Sequence, residues 1–276
     1  MDTPHPAYTV NCSILLTDLP LLERPAAAAA AGFGAVELWW PFATVVPSDA
    51  QVDALVAAIT DAGVQLTGLN FAAGDMPGGD RGLLSWPERS TEFRDNVDVV
   101  AGIGERLGCR AFNALYGNRV EGVDPRAQDE LAVENLALAA RAVAPAGGTV
   151  LVEPVSGADR YPLRTAADAL AVVDRVGGET GAGNLALLAD LYHLSVNGDD
   201  VDAVLAAHAE RAGHVQIADA PGRGEPGTGG LPLDRWLAAL RGAGYAGWVG
   251  LEHKATRPDP FAWLPRDQRR AAPRPA

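Results

Sequence analysis

The sequence predicts a single α/β domain that forms a closed (β/α)8 barrel, the TIM-barrel fold, with a shortened final helix. Three observations support this fold: short apolar runs alternate with longer helical segments, the runs number eight, and glycines stand just before many of them. Such alternation is typical of parallel strands joined by helices. The length of 276 residues is close to the roughly 250 residues usual for one such barrel.

The predicted strands are residues 8–14, 35–38, 65–70, 109–114, 149–153, 185–190, 214–218 and 248–252. Between them, apolar side chains recur at the i, i+3, i+4, i+7 spacing of a one-sided helix, as at Val52, Leu55, Val56 and Ile59. Glycines in "AAGFGAVEL", "RLGCRAFN" and "RAGHVQI" stand where a helix ends and the chain returns to the sheet. A doubly wound open sheet is the alternative, but the glycine fingerprint expected after its first strand is missing from the sequence.

Two segments depart from this regular pattern. Residues 71–89 contain several glycines and prolines and form a long connection, which in a compact domain is often a lid or a binding loop. Beyond Lys254 the sequence has room for at most one short helix. We therefore expect the barrel to occupy residues 1–265 and residues 266–276 to be a disordered tail.

Composition and charge exclude several functional classes. The net charge is −13, which opposes binding to a phosphate backbone and makes nucleic acid an unlikely partner. Apolar segments fall short of the roughly 20 residues that a membrane-spanning helix needs, so a soluble protein without membrane contact is expected. Cys12 and Cys109 lie in apolar runs and support neither a disulfide nor a cysteine metal site, which favours the cytoplasm. The sequence leaves open whether the chain forms a homo-oligomer.

Oxygen-bearing side chains stand at the ends of four consecutive predicted strands. They are Glu153, Asp190, Gln216 and Glu252. Because the carboxyl ends of barrel strands converge and form the active site in this fold, these side chains should lie close together. Three clustered carboxylates repel one another unless a cation or protons neutralise them. An all-oxygen set predicts a divalent metal ion, Mg²⁺ or Mn²⁺ rather than Zn²⁺.

Several other polar residues lie near these strand ends. His193 follows the second of them, where it points at substrate, ligates the metal or packs against the next helix. Arg223 lies in a glycine-rich loop and can bind a carboxylate through two parallel hydrogen bonds. Lys254 should share a strand face with Glu252, although a solvated surface lysine is the alternative. Glu225 is expected to tether its loop through Arg223 or Lys254.

The chain resembles the hydroxypyruvate isomerase family, within the xylose isomerase-like barrels that also include ketose 3-epimerases. The resemblance is carried by "LVEP", "DLYH", "GHVQIADAPGRGEPGTG" and "GWVGLEHK", with "AAGFGAVELWWPF", "AAGDMPGGDRGL" and "EFRDNV" in the first half. It implies metal ligands at Glu153, Asp190, Gln216 and Glu252, substrate contacts at His193 and Arg223, and a catalytic pair of Glu153 and Glu252. The chain departs from the family pattern at Ser156 and at Leu188 and Ala189.

The resemblance also implies a reaction. It predicts metal-assisted isomerisation of a small 2-oxo acid, hydroxypyruvate to 2-hydroxy-3-oxopropanoate, by glutamate proton transfer through an enediolate. A ketose 3-epimerase or a 2-oxo-tetronate isomerase with the same site is the nearest alternative. A non-catalytic carbohydrate-binding barrel is the alternative from another class. In each case the partner is a small hydroxy-oxo acid or a sugar.

Overall fold

The computed structural model describes residues 6–270 and confirms the predicted barrel. Its parallel strands form a closed sheet in sequence order, from β1 to β8. The strands are β1 (Ala7–Asn11), β2 (Ala35–Leu38), β3 (Gln65–Asn70), β4 (Ala111–Asn113), β5 (Thr149–Val152), β6 (Leu185–Asp190), β7 (Ala212–Ile217) and β8 (Trp248–Leu251). The sheet closes because β1 pairs with β2 on one side and with β8 on the other, with Ala7 opposite Trp248.

Helices join successive strands and cover the outside of the barrel. They are α1 (Arg24–Ala30), α2 (Asp49–Asp61), α3 (Ser90–Leu107), α4 (Pro125–Val143), α5 (Ala166–Thr180), α6 (Leu191–Val196), α7 (Val201–His208) and α8 (Leu233–Gly242). Both α6 and α7 lie between β6 and β7. After β8, the only helical segment up to residue 270 is the 3-10 turn Arg266–Gln268, which confirms the shortened final helix.

Local sequence signals explain where several helices begin and end. Ser48 caps α2 through a reciprocal pair of hydrogen bonds with Gln51, and Thr165 and Asp168 cap α5 in the same way. Helix α3 ends at Gly108, whose φ of 66° is the left-handed conformation that glycine adopts without a steric cost. Gly108 therefore marks a helix end, as predicted, whereas Gly213 of "RAGHVQI" lies within β7 and the prediction was wrong there.

The strands are shorter than predicted at several ends, most clearly in β1. This strand stops at Asn11, whose Oδ1 accepts a hydrogen bond from the Ser13 N–H at 3.0 Å. The Asn11 carbonyl also accepts from Leu15 N at 3.0 Å, so the chain turns immediately after the strand. Apolar character continued to Ile14, but the turn made by Asn11 decided the boundary.

The sequence analysis also made predictions about the two cysteines, the C-terminal segment and the membrane. Cys12 and Cys109 are free and buried. Arg269 donates to the carbonyls of Phe261, Leu264 and Ala31, so the chain is anchored to the barrel as far as this residue. The rest of the predicted tail, 271–276, lies outside the described residues. Between residues 6 and 270, every helix is too short or too polar to cross a membrane.

Candidate functional site

A cavity of about 1160 Å³ opens at the carboxyl ends of the strands. Its walls come from the segments after β2 and β3. Polar side chains that line it include Trp39, Arg81, Glu153, Ser156, His193, Arg223 and Glu252. This end of a (β/α)8 barrel is where the loops that carry chemistry meet. The predicted catalytic pair and two of the three predicted substrate-binding residues therefore face one cavity.

The four predicted metal ligands are all buried at this end of the barrel. Glu153 and Glu252 directly follow β5 and β8, Asp190 is the last residue of β6, and Gln216 lies opposite it in β7. Their exposed fractions are 5%, 3%, 1% and 4%, in that order. One ligand atom each of Glu153, Asp190 and His193 lies within 4.8 Å of the other two.

Arg223 links Glu252, which follows β8, to Asp190 of the group just described. Its Nη2 lies 3.2 Å from Glu252 Oε1 and 3.6 Å from Asp190 Oδ2, and its Nε donates to the Glu252 carbonyl at 3.0 Å. The guanidinium also lies over the Tyr192 ring, 5.4 Å from its centre. Its backbone φ of 59° is unusual for a residue other than glycine, as found where function fixes the backbone.

Three of the four predicted metal ligands have a buried side-chain oxygen without a hydrogen-bond partner among residues 6–270. These oxygens are Asp190 Oδ2, Gln216 Oε1 and Glu252 Oε2. An unpartnered buried acceptor is costly, because it loses its bonds to water without replacement. Carboxylate and amide oxygens of this kind are the ligands that Mg²⁺ and Mn²⁺ prefer, so the donor set fits such an ion.

Burial and mutual repulsion shift the acidity of the two glutamates. Burial raises the pKa of Glu153 above its usual range, and the nearby charge of Asp190 raises it further, whereas the hydrogen bond from Asn113 lowers it. Burial also raises the pKa of Glu252 well above its usual range, while Arg223 opposes this effect. Perturbed carboxyl groups in a cavity are typical of proton-transfer sites.

Each glutamate is held by a residue to which the sequence did not assign this role. Asn113, the last residue of β4, donates from Nδ2 to Glu153 Oε2 at 2.6 Å. Trp39, directly after β2, donates from Nε1 to Glu252 Oε1 at 2.7 Å. Charge-assisted bonds of this kind fix the position of a carboxylate.

The most important residue that sequence reasoning missed is Glu37, which is buried in β2. Its Oε1 accepts from Asn11 Nδ2 at 3.0 Å and from Gln216 Nε2 at 2.8 Å, and its Oε2 lies 2.6 Å from His214 Nε2. Because Glu37 Oε1 accepts from the Gln216 N–H, it fixes the amide of Gln216 with its oxygen pointing away from Glu37. The available signal was an acidic residue within the apolar strand "AVEL".

His193 lies at the start of α6 with a defined ring orientation. The Ser156 N–H donates to its Nδ1 at 3.0 Å, so Nδ1 is the acceptor and the neutral ring carries its proton on Nε2. That Nε2 lies 3.6 Å from Asp190 Oδ2. Burial lowers the pKa of His193 to about 4, so the ring is neutral near pH 7 and no ion pair forms with Asp190. Ser156 thus positions a hydrogen-bond donor.

The glycine-rich loop after β7 is organised by acidic residues. Asp219 accepts hydrogen bonds from four main-chain N–H groups, those of Ala220, Gly227, Gly229 and Leu231. Glu225 accepts from the Thr256 N–H at 2.8 Å and from its hydroxyl, so it ties this loop to the segment after β8. The expectation that Glu225 acts through Arg223 or Lys254 was therefore wrong about the partner.

Lys254 does not join the predicted substrate-binding residues. Its side chain is exposed and does not line the cavity. The strand ends at Leu251, before this residue, so the alternation of strand faces that predicted its direction does not reach it. Its main-chain N–H instead donates to the Arg223 carbonyl at 2.7 Å, which supports the loop after β7.

Known proteins similar to this chain share its length and fold. The family model described as xylose isomerase-like TIM barrel matches residues 25–272. A Streptomyces coelicolor protein with the provisional name hydroxypyruvate isomerase is 60% identical, over 96% of this chain and 97% of its own length. The Escherichia coli hydroxypyruvate isomerase is 32% identical, over 90% and 93%. The 2-oxo-tetronate isomerase of Cupriavidus necator is also 32% identical, over the same shares.

Solved structures that are similar to this chain share its fold. A Brucella melitensis structure described as an AP endonuclease of family 2 has a TM-score of 0.84 and 33% identity, covering 94% of this chain and 98% of that one. An L-ribulose 3-epimerase structure, at 24% identity and a TM-score of 0.71, covers 91% and 82% and shows the shared fold alone. The chain is an enzyme of the isomerase class and belongs to the hydroxypyruvate isomerase family of xylose isomerase-like TIM barrels.

Proposed function

We propose that this isomerase converts hydroxypyruvate to 2-hydroxy-3-oxopropanoate with the help of Mg²⁺ or Mn²⁺. Relatives named as isomerases of hydroxypyruvate and of 2-oxo-tetronate support a small oxo acid as substrate. The observation that carries the proposal is that Asp190, Gln216 and Glu252 each have an unpartnered buried oxygen, while Glu153 and Glu252 line one cavity. Such oxygens are costly to bury unless a cation completes the site.

Glu153, Asp190, Gln216 and Glu252 would hold the ion. The charges of the site support this assignment, because three carboxylates and the Arg223 guanidinium leave two negative charges, which one divalent ion balances. Because the amide of Gln216 is neutral, it adds a fourth ligand without changing this balance of charge. When bound, the ion would stabilise the negative charge that develops on the oxygens of the substrate.

The two glutamates would move the proton. One carboxylate takes the proton from C3 of hydroxypyruvate, the C–H electron pair forms a C2–C3 double bond, and the π pair of the C2 carbonyl moves onto O2. The same or the other carboxyl group then protonates C2 at the expense of the C2–C3 double bond. O3 loses its hydroxyl proton and forms the aldehyde carbonyl with C3, and O2 takes up a proton to become the new hydroxyl. Positioned acids and bases of this kind contribute rate factors of about 10² to 10⁴ each.

The surrounding residues would orient these groups. Trp39 and Arg223 hold Glu252 through Oε1, so its Oε2 stays free of protein partners. Asn113 holds Glu153. The Nε2–H of His193 is directed by Ser156 and is available to a substrate oxygen.

The test is an assay of metal-depleted protein with hydroxypyruvate, repeated after addition of Mg²⁺ or Mn²⁺. We expect turnover only after metal is restored, measured as formation of 2-hydroxy-3-oxopropanoate. Activity that is unchanged by metal removal would contradict the metal assignment. Absence of turnover with either ion would contradict the substrate.

A 2-oxo-tetronate isomerase is the second candidate. A cavity of about 1160 Å³ has room for more than a three-carbon acid, and the Cupriavidus necator relative carries that name. Assays of hydroxypyruvate, 2-oxo-tetronate and a ketohexose in parallel decide between the acids and an epimerase. Tight binding of a sugar without turnover would instead indicate a non-catalytic barrel.

A further inference from the structure

We infer that Arg81, in the long segment after β3, binds the carboxylate group of the substrate. This inference rests on the proposed function and extends it, because it names the residue that distinguishes an oxo acid from a neutral sugar. A protein with a net charge of −13 needs a local positive group to hold an anion. The resemblance had suggested Arg223 for substrate contact, and the contacts of Arg223 argue against this role.

Four arginines line the cavity: Arg24, Arg81, Arg89 and Arg223. An arginine binds a carboxylate most strongly through two parallel hydrogen bonds. Arg89 does so in this structure, where its Nε and Nη2 donate to the two oxygens of Glu92 at 2.8 and 2.7 Å. An arginine whose Nε and Nη2, which form one edge of the guanidinium, are both free of protein contacts can therefore bind a substrate carboxylate in the same way.

In three of the four arginines this edge is already used. Arg89 is paired with Glu92. Arg223 contacts the Glu252 carbonyl through Nε and the Glu252 carboxylate through Nη2. Arg24 donates from Nε to the Leu19 carbonyl at 2.9 Å. None of the three can offer the complete edge to a substrate without breaking a protein contact.

Arg81 keeps this edge free. Only its Nη1 makes hydrogen bonds, to the carbonyls of Met76 at 2.9 Å and Asp80 at 2.6 Å. No carboxylate within the described part of the chain lies within 4.0 Å of its guanidinium, so the charge has no fixed counterion. A half-buried guanidinium without a counterion, facing a cavity, is suited to an anionic ligand.

The backbone around Arg81 is held by hydrogen bonds to neighbouring segments of the barrel end. The Arg81 carbonyl accepts from Gly117 N at 3.0 Å, and Gly82 N donates to the Ala73 carbonyl at 2.9 Å. Gly82 has a φ of 117°, and a Cβ there would lie 2.0 Å from the Leu115 carbonyl oxygen, so the two segments touch. Rigid support of this kind preorganises a binding group.

Arg81 lines the same cavity as His193 and the two proposed catalytic glutamates, Glu153 and Glu252. A substrate carboxylate bound at Arg81 would therefore lie in the cavity that these glutamates face.

The test compares an acid with its neutral analogue in the metal-loaded enzyme. Hydroxypyruvate and dihydroxyacetone are both three-carbon hydroxyketones, and only the first carries a carboxylate. For Arg81→Gln we expect kcat/KM for hydroxypyruvate to fall roughly 10- to 100-fold, mainly through KM, from the loss of a charge-assisted pair. The value for dihydroxyacetone should stay within about threefold. Arg81→Lys should restore part of the loss.

Arg24→Gln is the matched control, because it removes the same charge from the same cavity. The ratio of the two kcat/KM values should be unchanged in this variant. A purely structural role for Arg81 in its loop would lower both activities together and would overturn the inference. A selective loss in Arg223→Gln but not in Arg81→Gln would overturn it as well.

Binding of D-glycerate separates this inference from the proposed function. Glycerate carries the carboxylate and has no carbonyl group to react, so calorimetry measures its binding without turnover. If the native protein turns over neither ketone, the proposed function fails, and glycerate still decides the role of Arg81. Weaker binding in Arg81→Gln and unchanged binding in Arg24→Gln would support the inference. Equal binding in both variants, or no binding to the native protein, would overturn it.

Discussion

Replacement of Glu153 by glutamine should stabilise the metal-depleted protein while it abolishes function. Burial and the charge of Asp190 raise the pKa of Glu153 from 4.5 to about 8, so the folded state holds a proton there that the unfolded state releases. Glutamine is neutral in both states. Its carbonyl oxygen can still accept the hydrogen bond from Asn113, so the substitution removes the charge and keeps the contact.

The size of the effect follows from the pKa difference. At pH 7 the unfolded carboxyl group is ionised and the folded one is protonated, which costs the native protein about 3 kcal/mol at 1.36 kcal/mol per pH unit. Because the folded pKa is raised, the stability of the native protein falls as pH increases from 4.5 to about 8. The advantage of Glu153→Gln should therefore vanish near pH 4.5 and be largest near pH 8.

Urea-induced unfolding, followed by tryptophan fluorescence, measures the free energy of unfolding of the native protein and of Glu153→Gln between pH 4.5 and about 8. Urea is uncharged and therefore does not screen the charges under test. Glu130→Gln is the control, because this glutamate is exposed and its neutralisation should change stability by less than about 0.5 kcal/mol. Addition of Mn²⁺ at about 100 times its dissociation constant should stabilise the native protein by about 2.7 kcal/mol and the variant by less. Equal stabilities of native protein and variant at pH 8 without metal would refute the reasoning.

Three further substitutions probe the site and its support. Glu252→Gln should lower kcat about 1000-fold with an unchanged circular dichroism spectrum, and full activity would remove its catalytic assignment. Trp39→Phe deletes the hydrogen bond to Glu252 Oε1 and should lower kcat about tenfold with little change in unfolding. Gly82→Ala should lower the free energy of unfolding by more than about 3 kcal/mol, since its Cβ would meet the Leu115 carbonyl. Gly79→Ala is the control, because the Cβ would have open space there, and it should cost about 1 kcal/mol. Similar losses of stability in the two variants would contradict the contact.

The number and order of strands could be predicted because they depend on local signals. Apolar runs, helix periodicity and glycines before strands each act over a few residues, and all agreed on one barrel. The strand ends were less accurate, since turns such as the one made by Asn11 stop a strand within an apolar run. The segment 71–89, described from the sequence as a long connection of the kind that often forms a lid or a binding loop, contributes Met76 and Arg81 to the cavity lining, but its sequence did not show which arginine remains unpaired.

Placement at strand ends predicted correctly which side chains lie at the same end of the barrel, because the barrel brings those ends together whatever the loops do. It found Glu153, Asp190, Gln216 and Glu252 at one end of the barrel. It failed for Lys254, because the strand ends before that residue. The partners that hold these groups escaped prediction, since Trp39 and Glu252 are 213 positions apart and only the closed barrel brings them together.

Glu37 shows why the chemistry of a site depends on residues that do not line its cavity. An amide has a donor end and an acceptor end of nearly equal size, so Gln216 by itself has no preferred direction. Glu37 Oε1 accepts from the donor end at 2.8 Å, which leaves the Gln216 oxygen without a partner among the described residues, like one oxygen each of Asp190 and Glu252. In the proposed metal site a neutral residue would then supply an oxygen ligand without a fourth negative charge among the ligands. The acidic residue in the apolar strand is therefore part of the design of the site, although it contributes no ligand to it.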